Sequence, residues 1–214
     1  MPDDDPEGIT PGAANRARSE NRRSSLIRAT LRVLERDGWS RLTARKVAAE
    51  ADLSLGHITY HFRSMDDLLL AACHQMSDDL RAVAEANPAV MPDDPMGRFI
   101  AFVHAAFRPE FLTPGYLRIR IDLWSAAQVH PAIASTDRAL QVRYRSQMIA
   151  LLEDVARPHG TTRLVPDVAD AVIATMDGLW LAIARHHDPG EVDRGLRVCC
   201  DYARLLLAPG TAPP

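Results

Sequence analysis

The sequence predicts an all-α protein made of a small helix-turn-helix head followed by a larger helical bundle. Three observations predict it. Apolar residues recur at helical spacing along most of the 214-residue chain, and no stretch alternates apolar and polar residues as a half-buried strand would. Within residues 43–62, two short helical segments are joined by Asp52-Leu53 alone, a connection tight enough to force a sharp helix crossing. Charge is also partitioned along the chain: residues 16–63 carry a net +6, the first 15 residues −4 and residues 64–214 −5. A basic segment on an acidic remainder is the footprint of a small nucleic-acid reader on a body with another task, although a solvated helix face gives the same charge.

Composition narrows the class. With 47% hydrophobic and 25% charged residues the chain can bury an ordinary core, which excludes a disordered protein. No apolar run reaches the roughly 20 residues a membrane helix needs. The start, MPDDDPEGITPG, is acidic and rich in Pro and Gly where a secretion signal would be basic and then apolar, so a cytoplasmic protein is expected. Cys73, Cys199 and Cys200 are odd in number, two of them adjacent, and read as reduced core residues rather than a disulfide framework.

Residues 1–19 read by composition as a disordered tail. A first helix is expected over 20–36, burying Leu26, Ala29, Thr30, Val33 and Leu34, with Gly38 as a left-handed cap and Trp39 and Leu42 beneath it. Thr43 is a good N-cap for a second helix over 44–51, with Val47, Ala48 and Ala51 inward, and Ser54 caps a third, ending near His61, with Leu53, Ile58 and Phe62 inward. Ser64 starts a long fourth helix with Asp66 and Asp67 in its first turn, where carboxylates suit the positive helix end. Proline then punctuates helices near 94–108, 115–128, 132–157, 166–187 and 190–207. The last two are unusually apolar, through Val168, Val172, Met176, Leu179, Trp180 and Ile183, and through Leu196, Cys200, Ala203 and Leu207. Such stripes are either bundle core or the interface of a homodimer formed through these two helices.

The third helix turns Leu55, His57, Thr59, Tyr60 and His61 outward, and none of these is anionic. A helix that enters the major groove must pass between phosphates and offer donors and apolar surface to base edges, which this face does. The pattern T-x-x-x-V-A-x-x-A-x-L-S-x-G-x-I-x-x-H-F-x-S over 43–64, after a basic amphipathic helix, resembles the DNA-binding domain of the TetR family of bacterial regulators. The C-terminal part resembles the choline-responsive BetI branch of that family, through LWSAAQVHPAI at 123–133 and MDGLWLA at 176–182. The resemblance implies an all-helical homodimer, an inducer pocket in the larger domain and no catalysis. It divides the chain into a DNA-binding domain at 20–66 and a ligand-binding and dimerisation domain at 67–208.

By matched position the resemblance assigns base contacts to Leu55, Gly56, His57 and Tyr60, a base or phosphate contact to Arg45, and DNA-backbone contacts to Thr43 and Thr59. Arg45 can fork onto a guanine edge or a phosphate, Leu55 can meet a thymine methyl, and Gly56 allows close backbone approach. Arg22, Arg23 and Arg41 suit phosphates by charge and position only. Two departures stand out. Met65 occupies the place of a phosphate-binding Lys, a role that falls to Arg63, and Asp52 stands where the turn often has Gly. The first predicts fewer phosphate contacts and a shallower salt dependence than is usual in the family.

In the larger domain Phe99, Phe102, Phe107, Trp124, Tyr144, Met148, Met176 and Trp180 lie on inward stripes, as core or as the lining of an apolar pocket between helices. The expected pocket set is Phe102, Phe107, Asp122, Trp124, Tyr144, Met148, Met176 and Trp180. If the BetI likeness extends to ligand class, it implies a quaternary ammonium against Trp124, Tyr144 and Trp180, with Asp122 or Asp177 supplying charge. His57 with His61, and His186-His187-Asp188, have ligand-type side chains but no matching partners, so helix-end or DNA-facing roles are preferred and no metal or cofactor is expected. No nucleophile elbow or phosphate-cradling loop is present, so an enzyme is not expected. The resulting expectation is a homodimeric repressor with no membrane association, released from a palindromic operator by an unidentified small molecule. The alternatives are an activator of the same family or an interaction module that kept the fold.

Overall fold

The computed structural model describes residues 11–85, 93–186 and 188–210, and every regular element among them is helical. The order is α1 Pro11–Asp37, α2 Ala44–Glu50, α3 Leu55–His61, α4 Met65–Glu85, α5 Pro95–Ala105, α6 Pro114–Ala127, α7 Pro131–Ala156, α8 Val165–His186 and α9 Pro189–Leu207. Short 3₁₀ turns link several of them. No helix among the described residues is long and apolar enough to cross a membrane.

The chain forms two compact units, Met1–Ala72 and Cys73–Pro214. In the first, Leu26, Ile27 and Ala29 of α1 meet Val47 and Ala48 of α2, Ile58 of α3, Phe62, and Leu68 and Ala72 of α4 in one buried cluster. The burial of Leu68 and Ala72 explains why the unit ends at residue 72 and not at 66: the first two turns of α4 close its core. Helix α1 begins at Pro11, so residues 11–19 are helical and not the disordered tail expected there; residues 1–10 lie outside the described residues. The run from Ala13 to Ser25 contains no Gly or Pro to stop a helix propagating backward from the buried stripe.

The local chemistry of the first unit matches its sequence at most points. The Thr43 hydroxyl accepts from the Lys46 amide at 3.3 Å, an N-cap. Helix α2 ends in a Schellman motif: the Leu53 amide donates to the Ala48 carbonyl (2.9 Å), that of Asp52 to the Ala49 carbonyl (3.2 Å), and Asp52 takes φ 54°. Ser64 accepts from the Asp67 amide while the Asp67 carboxylate accepts from the Arg63 amide, opening α4 in capping-box fashion. Gly38 has φ 77° but ψ 171°, so it needs glycine's freedom without adopting the left-handed helical cap expected of it.

The second unit packs α5–α9 around one core that includes Phe99, Leu117, Met148, Leu152, Trp180 and Leu207. Asp94, Thr113 and Asp188 cap α5, α6 and α9 with their side chains, each followed by Pro at the start of the helix. Gly195 lets α9 approach α8 closely, because a Cβ there would collide with the Leu179 side chain. The apolar stripes of α8 and α9 are resolved as core: Val168, Val172, Met176, Trp180, Ile183, Leu196, Cys200, Ala203 and Leu207 are all buried within the protomer. A different set is exposed, namely Leu181 of α8 and Val198, Tyr202 and Leu205 of α9. All three cysteines are free and buried, and burial pushes the Cys73 thiol up to about 12.

Candidate functional site

The first candidate site is the outer face of α2 and α3. Ile58 faces inward while Leu55, Gly56, Thr59 and Tyr60 are exposed, Tyr60 by 78%. His57 and His61 are half-buried. Ser54 occupies the N-cap position of α3, but its hydroxyl lies 2.9 Å from His57 Nδ1 and makes no cap bond, a difference from expectation. That contact orients the His57 ring and leaves Nε2 as its other polar atom. Thr59 donates its hydroxyl to the Gly56 carbonyl at 3.1 Å. Partial burial, with His57 and arginines nearby, holds the His61 imidazole below its ordinary range, which favours the neutral ring.

Ion pairing separates the structural cations from the available ones. Glu50 accepts from Arg32 (2.7 Å) and Arg36 (2.8 Å), Asp37 accepts from Lys46 (2.7 Å), and the Arg41 guanidinium donates to the Asp37 carbonyl. Arg23 lies over the Phe62 ring, 5.1 Å from its centroid. Arg45 and Arg63, both exposed, have side chains without an ion pair among the described residues. Met65 packs against the first unit's core, which is why an apolar side chain suits that position. Nothing within the chain requires glycine at position 56, since a Cβ there would only touch Ser54 Oγ at an ordinary 3.7 Å.

The second candidate site is a cavity of about 130 Å³ within the second unit. Its walls come from regular helical spacing: Tyr116, Arg120 and Trp124 on α6; Ile133, Asp137, Leu140 and Tyr144 on α7; Ile173, Met176, Asp177 and Trp180 on α8. Cys73, Met76 and Ser77 of α4 complete it. Of the eight expected residues the cavity gathers Trp124, Tyr144, Met176 and Trp180. Phe102, Phe107, Met148 and Asp122 do not line it. Phe107 stacks on Trp180 (4.9 Å between centroids) and Phe102 stacks on Tyr144 (5.2 Å), so these two rings lie behind the wall, while Met148 is fully buried in the core.

Sequence reasoning missed the residue at the centre. The Arg120 guanidinium lies 4.4 Å from the Trp180 centroid and 5.1 Å from that of Trp124. Each such contact is worth ~1–2 kcal/mol when shielded from water. These are the faces a quaternary ammonium would need, and they already carry the chain's own cation. A second cation about 4 Å away would meet a repulsion of ~4 kcal/mol at an effective dielectric near 20. The legible signal was a lone charge four residues from an aromatic on either side, on an otherwise inward stripe. Asp137 and Asp177 also line the cavity, and burial pushes both carboxyls above their ordinary range, while Arg120 opposes the rise. Burial likewise pushes the Tyr116 phenol up to about 12, and the Tyr144 hydroxyl points at the Met176 sulfur, 3.4 Å away.

A helix-turn-helix head followed by a helical body that holds a cavity is the architecture of a DNA-binding transcriptional regulator. Residues 26–72 match the tetR family of bacterial regulatory proteins, and residues 95–208 match the C-terminal domain of BetI-type transcriptional repressors. Curated relatives agree: the HTH-type transcriptional regulator BetI of Burkholderia thailandensis is 31% identical over 190 residues, covering 89% of this chain and 95% of its own. BetI of Paraburkholderia phymatum is 31% identical over 195 residues, covering 90% and 96%. Among solved structures, a transcriptional regulator from Pseudomonas aeruginosa PAO1 has a TM-score of 0.77 at 27% identity, covering 88% and 91% of the two chains. The multidrug binding protein EbrR, complexed with imidazole, has a TM-score of 0.64 at 29% identity, covering 89% and 93%. The chain belongs to the TetR family of transcriptional regulators, with a BetI-type C-terminal domain.

Proposed function

We propose that the protein is a cytoplasmic, ligand-responsive repressor that acts as a homodimer on a palindromic operator. The observation that carries this reading is the outer face of α2 and α3: Arg45, Leu55, Gly56, Thr59 and Tyr60 are exposed and carry no carboxylate. His57, its ring oriented by Ser54, joins them in reading bases, while Thr43 and Arg63 bind DNA backbone. The Thr43 hydroxyl accepts from the Lys46 amide and still has its own proton to donate to a phosphate. The exposed apolar residues of α8 and α9 supply the dimer contact, so that two reading heads stand about 34–36 Å apart and engage successive major grooves.

The effector enters the cavity of the second unit. Helix α4 is the coupling element, because Leu68 and Ala72 are packed in the reading head's core while Cys73, Met76 and Ser77 line the cavity. A ligand that favours one position of α4 over another alters the spacing of the heads. The ~1–3 kcal/mol typical of such coupling lowers operator affinity 5- to 150-fold. Footprinting the purified full chain on the DNA upstream of its own gene tests the reading. Two protected half-sites one helical turn apart are expected, with in vitro transcription falling as they fill. No preference over random duplex overturns DNA reading by this face, and transcription that rises instead identifies an activator.

A further inference from the structure

The geometry of the cavity points to the class of effector. Arg120 reaches it from α6 with its side chain only 19% exposed, and its guanidinium makes no hydrogen bond among the described residues. Its Nε is fully buried and unpartnered. The nearest carboxylate oxygen, on Asp177, is 3.9 Å from a terminal guanidinium nitrogen, beyond hydrogen-bond range. A guanidinium presents five N–H donors, and a buried donor without an acceptor is costly, so native proteins rarely leave one unsatisfied. The rings of Trp124 and Trp180 hold the cation by their π faces but offer no conventional acceptor to its N–H groups.

We propose that the cavity binds a small organic acid, a carboxylate on an apolar body of about one ring, with Arg120 as its anchor. A carboxylate offers two coplanar acceptors at the spacing of the guanidinium's two terminal nitrogens and neutralises the buried charge as well as accepting from their N–H groups. The remaining surface, Ile133, Ile173 and Met176 among it, suits a hydrocarbon body. A cavity of about 130 Å³ is close to the ~150 Å³ known to hold a benzene ring. Asp137 and Asp177 do not exclude an anion, because burial raises the proton affinity of both and an anion seated beside them raises it further, so each can take up a proton as the acid binds and donate a hydrogen bond to it. The inference rests on reading the cavity as the effector site and adds its chemistry.

The test is a titration of the purified full chain with three compounds of similar size and different charge: benzoate, benzamide and benzyltrimethylammonium. Heat and tryptophan fluorescence are the readouts. Benzoate is expected to bind at least tenfold more tightly than benzamide, with the cation weakest. Arg120→Gln is expected to weaken benzoate at least tenfold and leave benzamide within twofold. The ranking on the unaltered protein needs no variant, so it stands even if the substitution impairs folding. Benzoate and benzamide binding equally, the cation binding tightest, or no binding of benzoate at about 10 mM each overturns the proposal. Operator binding is scored separately. Acid selectivity without operator preference removes the regulatory reading and leaves the cavity chemistry standing, whereas operator binding without acid selectivity removes this inference alone.

Discussion

Lys46, the chain's one lysine, places its Nζ 2.7 Å from Asp37 Oδ2 and so ties the start of α2 to the end of α1. Glu50 makes the corresponding tie from the other end of α2, to Arg32 and Arg36. Hydrogen bonds from these cations hold both carboxyls below their ordinary range, that of Lys46 foremost on Asp37 and that of Arg32 on Glu50. In the second unit, burial does the opposite to Asp137 and Asp177.

Asp37 and Glu50 therefore respond to acid with the opposite sign to Asp137 and Asp177. Asp37 and Glu50 bind protons less readily folded than unfolded, so their contribution is complete above ordinary carboxylate values and is lost as pH falls through the depressed ones. Asp137 and Asp177 bind protons more readily when folded. Their penalty is present at neutral pH and is relieved as pH falls through the raised values toward the ordinary ones. Amide exchange from pH 7 downward is expected to show the second unit gaining protection first and α1–α3 losing it at lower pH. Parallel loss in both units would contradict this assignment.

Gly56→Ala is expected to raise stability while lowering operator affinity. Alanine is favoured over glycine inside a helix by roughly 0.5–1 kcal/mol, and the added Cβ meets no clash. If the position faces DNA at close range, the same methyl holds the backbone away from the groove. Denaturant melts and gel shifts on one preparation separate the two effects, and operator affinity that rises or stays level would show that α3 does not approach DNA there.

Asp52 is the one non-glycine residue with positive φ among the described residues. The left-handed conformation costs an L-residue ~1–2 kcal/mol, less for Asp than for most, so Asp52→Gly is expected to stabilise the first unit by up to ~1 kcal/mol. Operator affinity should stay within about twofold, because the Schellman bonds through the residue 52 and 53 amides do not involve the side chain. A lower melting midpoint would mean that the carboxylate does something in the turn beyond tolerating it.

Arg45→Ala is expected to reduce operator affinity by roughly 1–3 kcal/mol and to relax sequence preference if its guanidinium forks onto a base. If it grips a phosphate instead, the loss is uniform across sequences and the salt slope becomes shallower by about one. Tyr60→Ala, at a side chain 78% exposed, should weaken binding without shifting the melting midpoint. A destabilised Tyr60 variant would assign that ring to the fold.

The reading head was legible in the sequence because its constraints are local. The Thr43 cap, the two-residue turn, the small Ala48 and the inward Ile58 and Phe62 each act within a few residues, and all appear as expected. The cavity was half legible. Inward aromatic stripes were visible, but which ring faces space and which is stacked behind another depends on helix rotation, which periodicity does not resolve. Phe107 behind Trp180 and Phe102 behind Tyr144 were lost in this way. Arg120 was passed over because a charged residue on an apolar stripe is usually a long side chain reaching for solvent, whereas here two indoles keep it inside.

The same rotational ambiguity bears on assembly. The stripes first considered as a dimer contact are core, and the exposed apolar residues lie on another face, where Val198, Tyr202 and Leu205 fall four and seven residues apart along α9 and form one ridge. Leu205 is 71% and Val198 64% exposed, and scattered single residues of this kind would need no explanation, whereas three on one face of a single helix do. Leu205→Glu places a charge on that ridge without touching the protomer core, so folding and the melt of the isolated protomer should be preserved. If two copies pair through this face, sedimentation velocity will show the variant as a monomer at concentrations where the parent is a dimer. Operator affinity will fall by far more than any single base contact accounts for, because two heads bound as one unit gain the effective concentration of their linkage. A variant that remains dimeric and binds normally would place the interface elsewhere on the body.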